Sequence, residues 1–155
     1  MSLFEACYEG NVKLVKTLLA NSEEPAADIN WVIRVASARG HTKMVELLLQ
    51  DGRIDPTTDS NAAIGYASLN GHVDIVALLL QDSRVDPTDY GNYAIKRAIF
   101  NGHIDIVSLL LQDGRVEITD DEIHIAKTDE IKDILIAYKY RVDGKEYCRL
   151  KNNIA

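Results

Sequence analysis

Residues 70–82 read NGHVDIVALLLQD, and the phrase returns as NGHIDIVSLLLQD at 101–113 and as RGHTKMVELLLQD at 39–51. The Gly-His pairs at 40–41, 71–72 and 102–103 fall 31 residues apart, each followed by a leucine triplet at 47–49, 78–80 and 109–111. Laid over each other without a gap, residues 51–81 and 82–112 agree at 19 of 31 positions. A period of this length specifies stacked supersecondary units rather than one closed globule. A stack displays surface, and surface is what binding proteins use.

Ahead of the phrase, the stretch DGRIDPTTDS at 51–60 is turn chemistry, with Gly52 and the Asp55-Pro56 step. Asn61 is expected to cap a short helix beginning at Ala62, its side-chain oxygen accepting an orphan backbone N–H. Ile64, Ala67 and Ser68 share one face of that helix at i, i+3 and i+4, small enough for close packing. Asn70-Gly71 breaks it. The second helix is apolar over so wide an arc (Val73, Ile75, Val76, Ala77 and leucines 78–80) that it needs neighbours on two sides, which stacking supplies. Asn30, Asn61 and Asn92 occupy equivalent places, as do Ile33, Ile64 and Ile95, then Ala36, Ala67 and Ala98. Second helices are expected at about 11–20, 41–50, 72–81, 103–112 and 129–138.

The ends differ from the middle in the way a one-dimensional stack requires. Ser2-Leu3-Phe4-Glu5 is a capping box that starts a helix at once. Lys16 and Thr17 stand where inner units place Ala77 and Leu78, giving the first unit a more polar face. Thr119-Asp120-Asp121-Glu122 is a second capping box, opening a degenerate last unit in which Asp133 is aligned with Ile106. Beyond Tyr140, Asp143-Gly144 is a hairpin signal that would set Tyr140 opposite Tyr147 and Arg141 opposite Glu146; the alternative is a last helix that frays. The expected organisation is a stack over 1–140, in units of about 1–20, 21–50, 51–81, 82–112 and 113–140, with a tail at 141–155.

Composition narrows the classes of function. The net charge of −7 argues against nucleic acid, whose binders need a basic face for phosphate contacts. Lys139, Arg141, Lys145, Arg149 and Lys151 gather near the C-terminus, where they serve solubility or touch an anionic surface. No apolar run approaches the ~20 residues of a membrane span, so no membrane partner is expected. Cys7 and Cys148 sit too far apart in a stack to meet, which suits reduced thiols and a cytoplasmic setting.

At this point the chain resembles the ankyrin-repeat family, through the Gly-His that opens each second helix, the runs KMVELLLQD, DIVALLLQD and DIVSLLLQD, and the paired small alanines of the first helix. It resembles in particular the short variety written NxAIxxAxxNGHxxIVxLLLQDxRVDP, abundant in giant viruses of amoebae and some protists. Two departures stand out. The usual Thr-Pro-Leu-His opening reads Trp31-Val-Ile-Arg34, Ala62-Ala-Ile-Gly65 and Tyr93-Ala-Ile-Lys96, and the period is two residues shorter than the usual 33, which bears on the projecting hairpin. The resemblance implies an all-α solenoid of about five stacked helix pairs with N- and C-terminal capping repeats. It also implies a module that binds a protein partner in a concave groove lined by loop tips and first helices. Carried onto this sequence, that groove would hold Tyr8, Trp31, Arg34, Arg39, Leu69, Tyr90, Tyr93 and Phe100. Trp31 and Tyr66 could instead pack between adjacent first helices.

Catalytic and metal chemistry find little support. His41, His72 and His103 are equivalent, and helices ~8–10 Å apart cannot bring them to the ~2 Å that a shared zinc ion needs. Each is expected to tie a loop to the start of its second helix. There is no Gly-rich phosphate loop, no G-x-S-x-G, no H-E-x-x-H, and no cysteine beside a plausible base. The acids at 120–122 suit a helix N-terminus. Arg53, Arg84 and Arg115 are expected to order their loops by pairing with Asp55, Asp86 and Glu117. The expectation is therefore a non-enzymatic module with no catalytic residue, metal or cofactor, monomeric by itself. It would act as an inhibitor or adaptor, or else as the docking piece of a larger complex.

Overall fold

The computed structural model describes residues 1–21 and 29–140, and among these every regular element is helical. The first helices are α1 (Leu3–Tyr8), α3 (Trp31–Arg39), α5 (Thr58–Asn70), α7 (Asp89–Asn101) and α9 (Asp120–Ile125). The second helices are α2 (Val12–Ala20), α4 (Thr42–Gln50), α6 (Val73–Gln81), α8 (Ile104–Asp113) and α10 (Asp129–Tyr140), at the places the repeat predicts. Each first helix packs on the next first helix and on its own second helix, and second helices pack on second helices. The result is an all-α solenoid two helices deep.

The repeat turns into packing as columns of identical burial. Ile33, Ile64 and Ile95 are buried in the first helices; Met44, Ile75 and Ile106, then Leu48, Leu79 and Leu110, are buried in the second. Ile54, Val85 and Val116 close the column beneath the loops. Each such side chain contributes roughly 1.5–3 kcal/mol through the apolar surface it removes from water. Ala36, Ala67 and Ala98, fully buried, leave room for close helix approach.

The connection between the two helices of a unit is set by glycine and by the next unit's histidine. Gly40, Gly71 and Gly102 end their helices at φ 77–79°, where a side chain is unfavourable. The expected tie at the start of each second helix does not stay within one unit. Instead His41, His72 and His103 bring Nε2 to the carbonyls of Tyr8, Ala38 and Leu69 at 3.0, 3.2 and 3.0 Å, on the preceding first helix. They are ties between units.

The loops before the first helices contain no strand among the described residues. The right-handed part of α5 begins at Ala62, as expected, but Asp59, Ser60 and Asn61 take left-handed dihedrals at φ 53–58°. Tyr90, Gly91 and Asn92 do the same at φ 50–64°. The asparagines do not cap their own helices. Asn30 Oδ1 accepts the backbone N–H of Asp55 at 2.8 Å, and Asn61 Oδ1 that of Asp86 at 2.9 Å. Asn92 donates to the carbonyl of Glu117 at 3.1 Å. Each asparagine holds the loop of the following unit, so the shortened loop is fixed by its neighbour rather than by a hairpin.

The arginines complete the same arrangement, with partners two residues before them rather than after. Arg53, Arg84 and Arg115 pair with Asp51, Asp82 and Asp113 at 2.8, 2.6 and 2.6 Å. Arg84 and Arg115 also donate to the carbonyls of Ile54 and Val85 one unit back, and Arg53 to that of Leu19 in the first unit.

At the ends, both capping boxes form: Ser2 with Glu5, and Thr119 with the buried Glu122. Lys16 and Thr17 are exposed, as a terminal unit requires. In α10, Ile131 and Leu135 are buried at the places that Ile106 and Leu110 hold from their helix start. Asp133 is therefore not the counterpart of Ile106; the last unit is shorter than its sequence alignment suggests. The hairpin expected at Asp143-Gly144 lies outside the described residues.

Candidate protein-binding face

Large exposed hydrophobic side chains collect on one side of the stack. Among the described residues they are Met1, Phe4, Tyr8, Tyr66, Tyr90, Phe100 and Tyr140. Five of these seven lie on first helices, and only Tyr140 lies on a second helix. Tyr90, at the tip of its loop, is the most open at 74%.

The residues expected at the site fall into three groups along this side. Near the N-terminus, Phe4 stacks on Tyr8 with centroids 6.0 Å apart and meets the half-buried Trp31 at 5.7 Å. Arg39 lies 3.9 Å over the Tyr8 ring and donates to the Tyr8 hydroxyl at 3.2 Å. Trp31 packs against the core as much as it faces out.

The middle group surrounds a cavity of about 490 Å³ lined by Asp59, Ser60, Ala62, Tyr66, Tyr90, Tyr93 and Arg97. Two loop tips and the faces of α5 and α7 build it. Tyr90 meets Tyr93 edge-on at 5.8 Å, and the Arg97 guanidinium lies 4.6 Å from the Tyr93 centroid. Gly65 is needed beneath: a Cβ there would come within 2.6 Å of the Tyr93 ring. Equivalent positions hold Arg34 and Lys96, so this glycine opens the face where the tyrosine lies across it. Arg34 is ion-paired with Asp59.

The third group is at the C-terminal ends of the first helices. Phe100, 48% exposed, carries the Lys127 ammonium 3.6 Å from its ring centroid. Leu69 is half-buried one unit earlier. Tyr66, Arg97 and Lys127 were not among the residues expected at the site. The signal for Arg97 was its neighbour: a cation four residues after Tyr93 on a helix shares its face.

The remaining chemistry is structural. No group of three or more His, Cys, Asp or Glu that could hold a metal occurs among the described residues. Cys7 is buried, and burial pushes its thiol up to about 11. No helix among the described residues is long and apolar enough to cross a membrane.

A two-layer helical stack with a repeated Gly-His tie and an aromatic face defines a repeat protein of the ankyrin class. The chain belongs to the ankyrin-repeat family: the family model described as "Ankyrin repeats (3 copies)" matches residues 3–90 and, overlapping them, 33–121. Ankyrin repeats are in general protein–protein interaction modules, and the family is typically non-catalytic. A comparison with curated proteins finds no match.

Proposed function

We propose that this chain is a non-catalytic interaction module that grips a protein partner on the side formed by its first helices and loop tips. Tyr8, Trp31, Arg34, Arg39, Leu69, Tyr90, Tyr93 and Phe100 make the contact, with Tyr66 and Arg97 beside them. It acts by occupancy in the cytoplasm, as an inhibitor or adaptor. The observation that carries the reading is the concentration of exposed aromatic side chains on the first helices, against a single one on the second helices, among the described residues. Aromatic residues and arginine dominate the energy of protein interfaces because they bury large area at low entropic cost. The left-handed backbone at Tyr90 adds to this, since it is held by the neighbouring unit and projects the ring from a fixed tip.

The alternative role is docking: the same face would attach the chain to a larger regulatory or enzyme complex. Affinity capture from the natural host followed by mass spectrometry separates the two, since a stoichiometric complex in every preparation means docking and a single separable target means inhibitor or adaptor. Hydrogen exchange of the complex then tests the face itself. Added protection is expected in α3, α5 and α7; protection confined to α4, α6 and α8 would refute the reading.

A further inference from the structure

We infer that the partner presents an acidic segment, with an apolar side chain next to a carboxylate, to the aromatic face; this rests on the face proposed above. The chain is acidic overall, at −7, yet its charges are sorted by layer. The central first helices α3, α5 and α7 carry Arg34, Arg39, Lys96 and Arg97 against Asp59 and Asp89. The central second helices α4, α6 and α8 carry Lys43 against Glu46, Asp74, Asp105 and Asp113. An acidic partner is attracted by one side and repelled by the other.

How each cation is held sharpens the point. Arg53, Arg84 and Arg115 are each closed by an aspartate of their own unit. Arg34 and Lys96 have Asp59 and Glu122. Arg39, Arg97 and Lys127 rest instead on aromatic rings, those of Tyr8, Tyr93 and Phe100, and none of the three has an ion-pair partner among the described residues. A ring under a guanidinium fixes its plane and leaves edge N–H donors free for the two oxygens of a carboxylate. Among the described residues these are cations without an acidic partner, one in each of the three groups of the face, and the two arginines are oriented by the rings beneath them. Beside Arg97 the cavity of about 490 Å³, walled by Tyr66, Tyr90 and Tyr93, has room for an apolar side chain. The asparagine-held loop tip keeps that wall in place. An acidic-apolar segment therefore meets both of its needs here.

A random peptide library displayed on phage and selected against the full chain tests this directly. The expected result is enrichment of peptides with Asp or Glu beside Leu, Ile, Phe, Tyr or Trp. A synthetic peptide of the dominant sequence should then bind Arg39→Gln/Arg97→Gln at least ~10-fold more weakly than the wild type, the scale of a lost charge-assisted contact. Arg97→Lys, which keeps the charge, should lose less, and Lys43→Gln on the second helices should bind as the wild type does. Thermal melts establish that the variants remain folded. Selected peptides that are basic or uncharged, but lose affinity with Tyr90→Ala, would overturn the acidic-segment inference and leave the binding face standing. Peptides indifferent to both Tyr90→Ala and the arginine changes would overturn both. A library that yields no binder also overturns the inference.

Discussion

The imidazole of His72 lies against Gly40: a Cβ at Gly40 would stand 2.7 Å from the ring, whose Nε2 is 3.2 Å from the carbonyl of Ala38. The same relationship joins His41 to Gly10 and His103 to Gly71. Gly102 has the same φ of 77° but nothing within 4 Å of a Cβ, because the last unit has no matching histidine. The glycine thus serves two purposes at Gly40 and one at Gly102. Gly102→Ala should cost about 1–2 kcal/mol, the penalty of a left-handed alanine. Gly40→Ala should cost about 1–3 kcal/mol more, because the ring must move and give up its carbonyl. Urea midpoints measure both; equal losses would mean that the histidine ring does not set the glycine.

Leu79 is fully buried on α6, a helix that packs on both α4 and α8. Leu79→Ala should destabilise by about 2–5 kcal/mol. Leu18→Ala should cost clearly less, since Leu18 is only half-buried. The reverse order of urea midpoints would contradict the stacking register.

The arginine clamps make stability depend on acid. Hydrogen bonds from Arg53, Arg84 and Arg115 hold the carboxyls of Asp51, Asp82 and Asp113 below their ordinary value of 3.8. In the window just below that value the unfolded chain binds more protons than the folded one, so stability rises with pH there. The contribution is complete above about pH 5 and is lost as pH falls through 3.8 toward the depressed values. Asp82→Asn should lower the urea midpoint at pH 7 and flatten the decline between pH 5 and pH 3. An undiminished acid decline in that variant would show that the Asp82–Arg84 clamp is not its source.

Much of the fold is legible in one repeat, and most of what escapes lies between repeats. The Gly-His phrase and the leucine triplets place the three inner second helices, and Ser2 with Glu5 and Thr119 with Glu122 place the caps, because these are local patterns. The roles of Asn61, His72 and Arg84 are not local. Asn61 reaches Asp86, His72 reaches Ala38 and Arg84 reaches Ile54. A residue recurring once per unit looks the same whether its partner lies in its own unit or the next, and only the stack distinguishes them. At the candidate face, Tyr90 and Tyr93 were readable as a pair because they are three residues apart. Arg39 over Tyr8 was not, because that contact spans two units. Gly65 reads as a weak helix residue until the Tyr93 ring is seen across it.

Whether the first-helix face binds is decided by one calorimetric comparison once a partner is in hand. Tyr90→Ala keeps the left-handed backbone's cost unchanged in kind while removing a ring that is 74% exposed, and Phe100→Ala removes a ring touching Lys127. Together they should weaken binding by at least ~2 kcal/mol and leave the fold intact. Lys43→Ala and Asp74→Ala, on the second helices, should change it by no more than a few tenths of a kcal/mol, as surface positions outside an interface do. Loss of affinity in the second-helix variants with none in the aromatic pair would contradict the claim and move the interface to the opposite side of the stack.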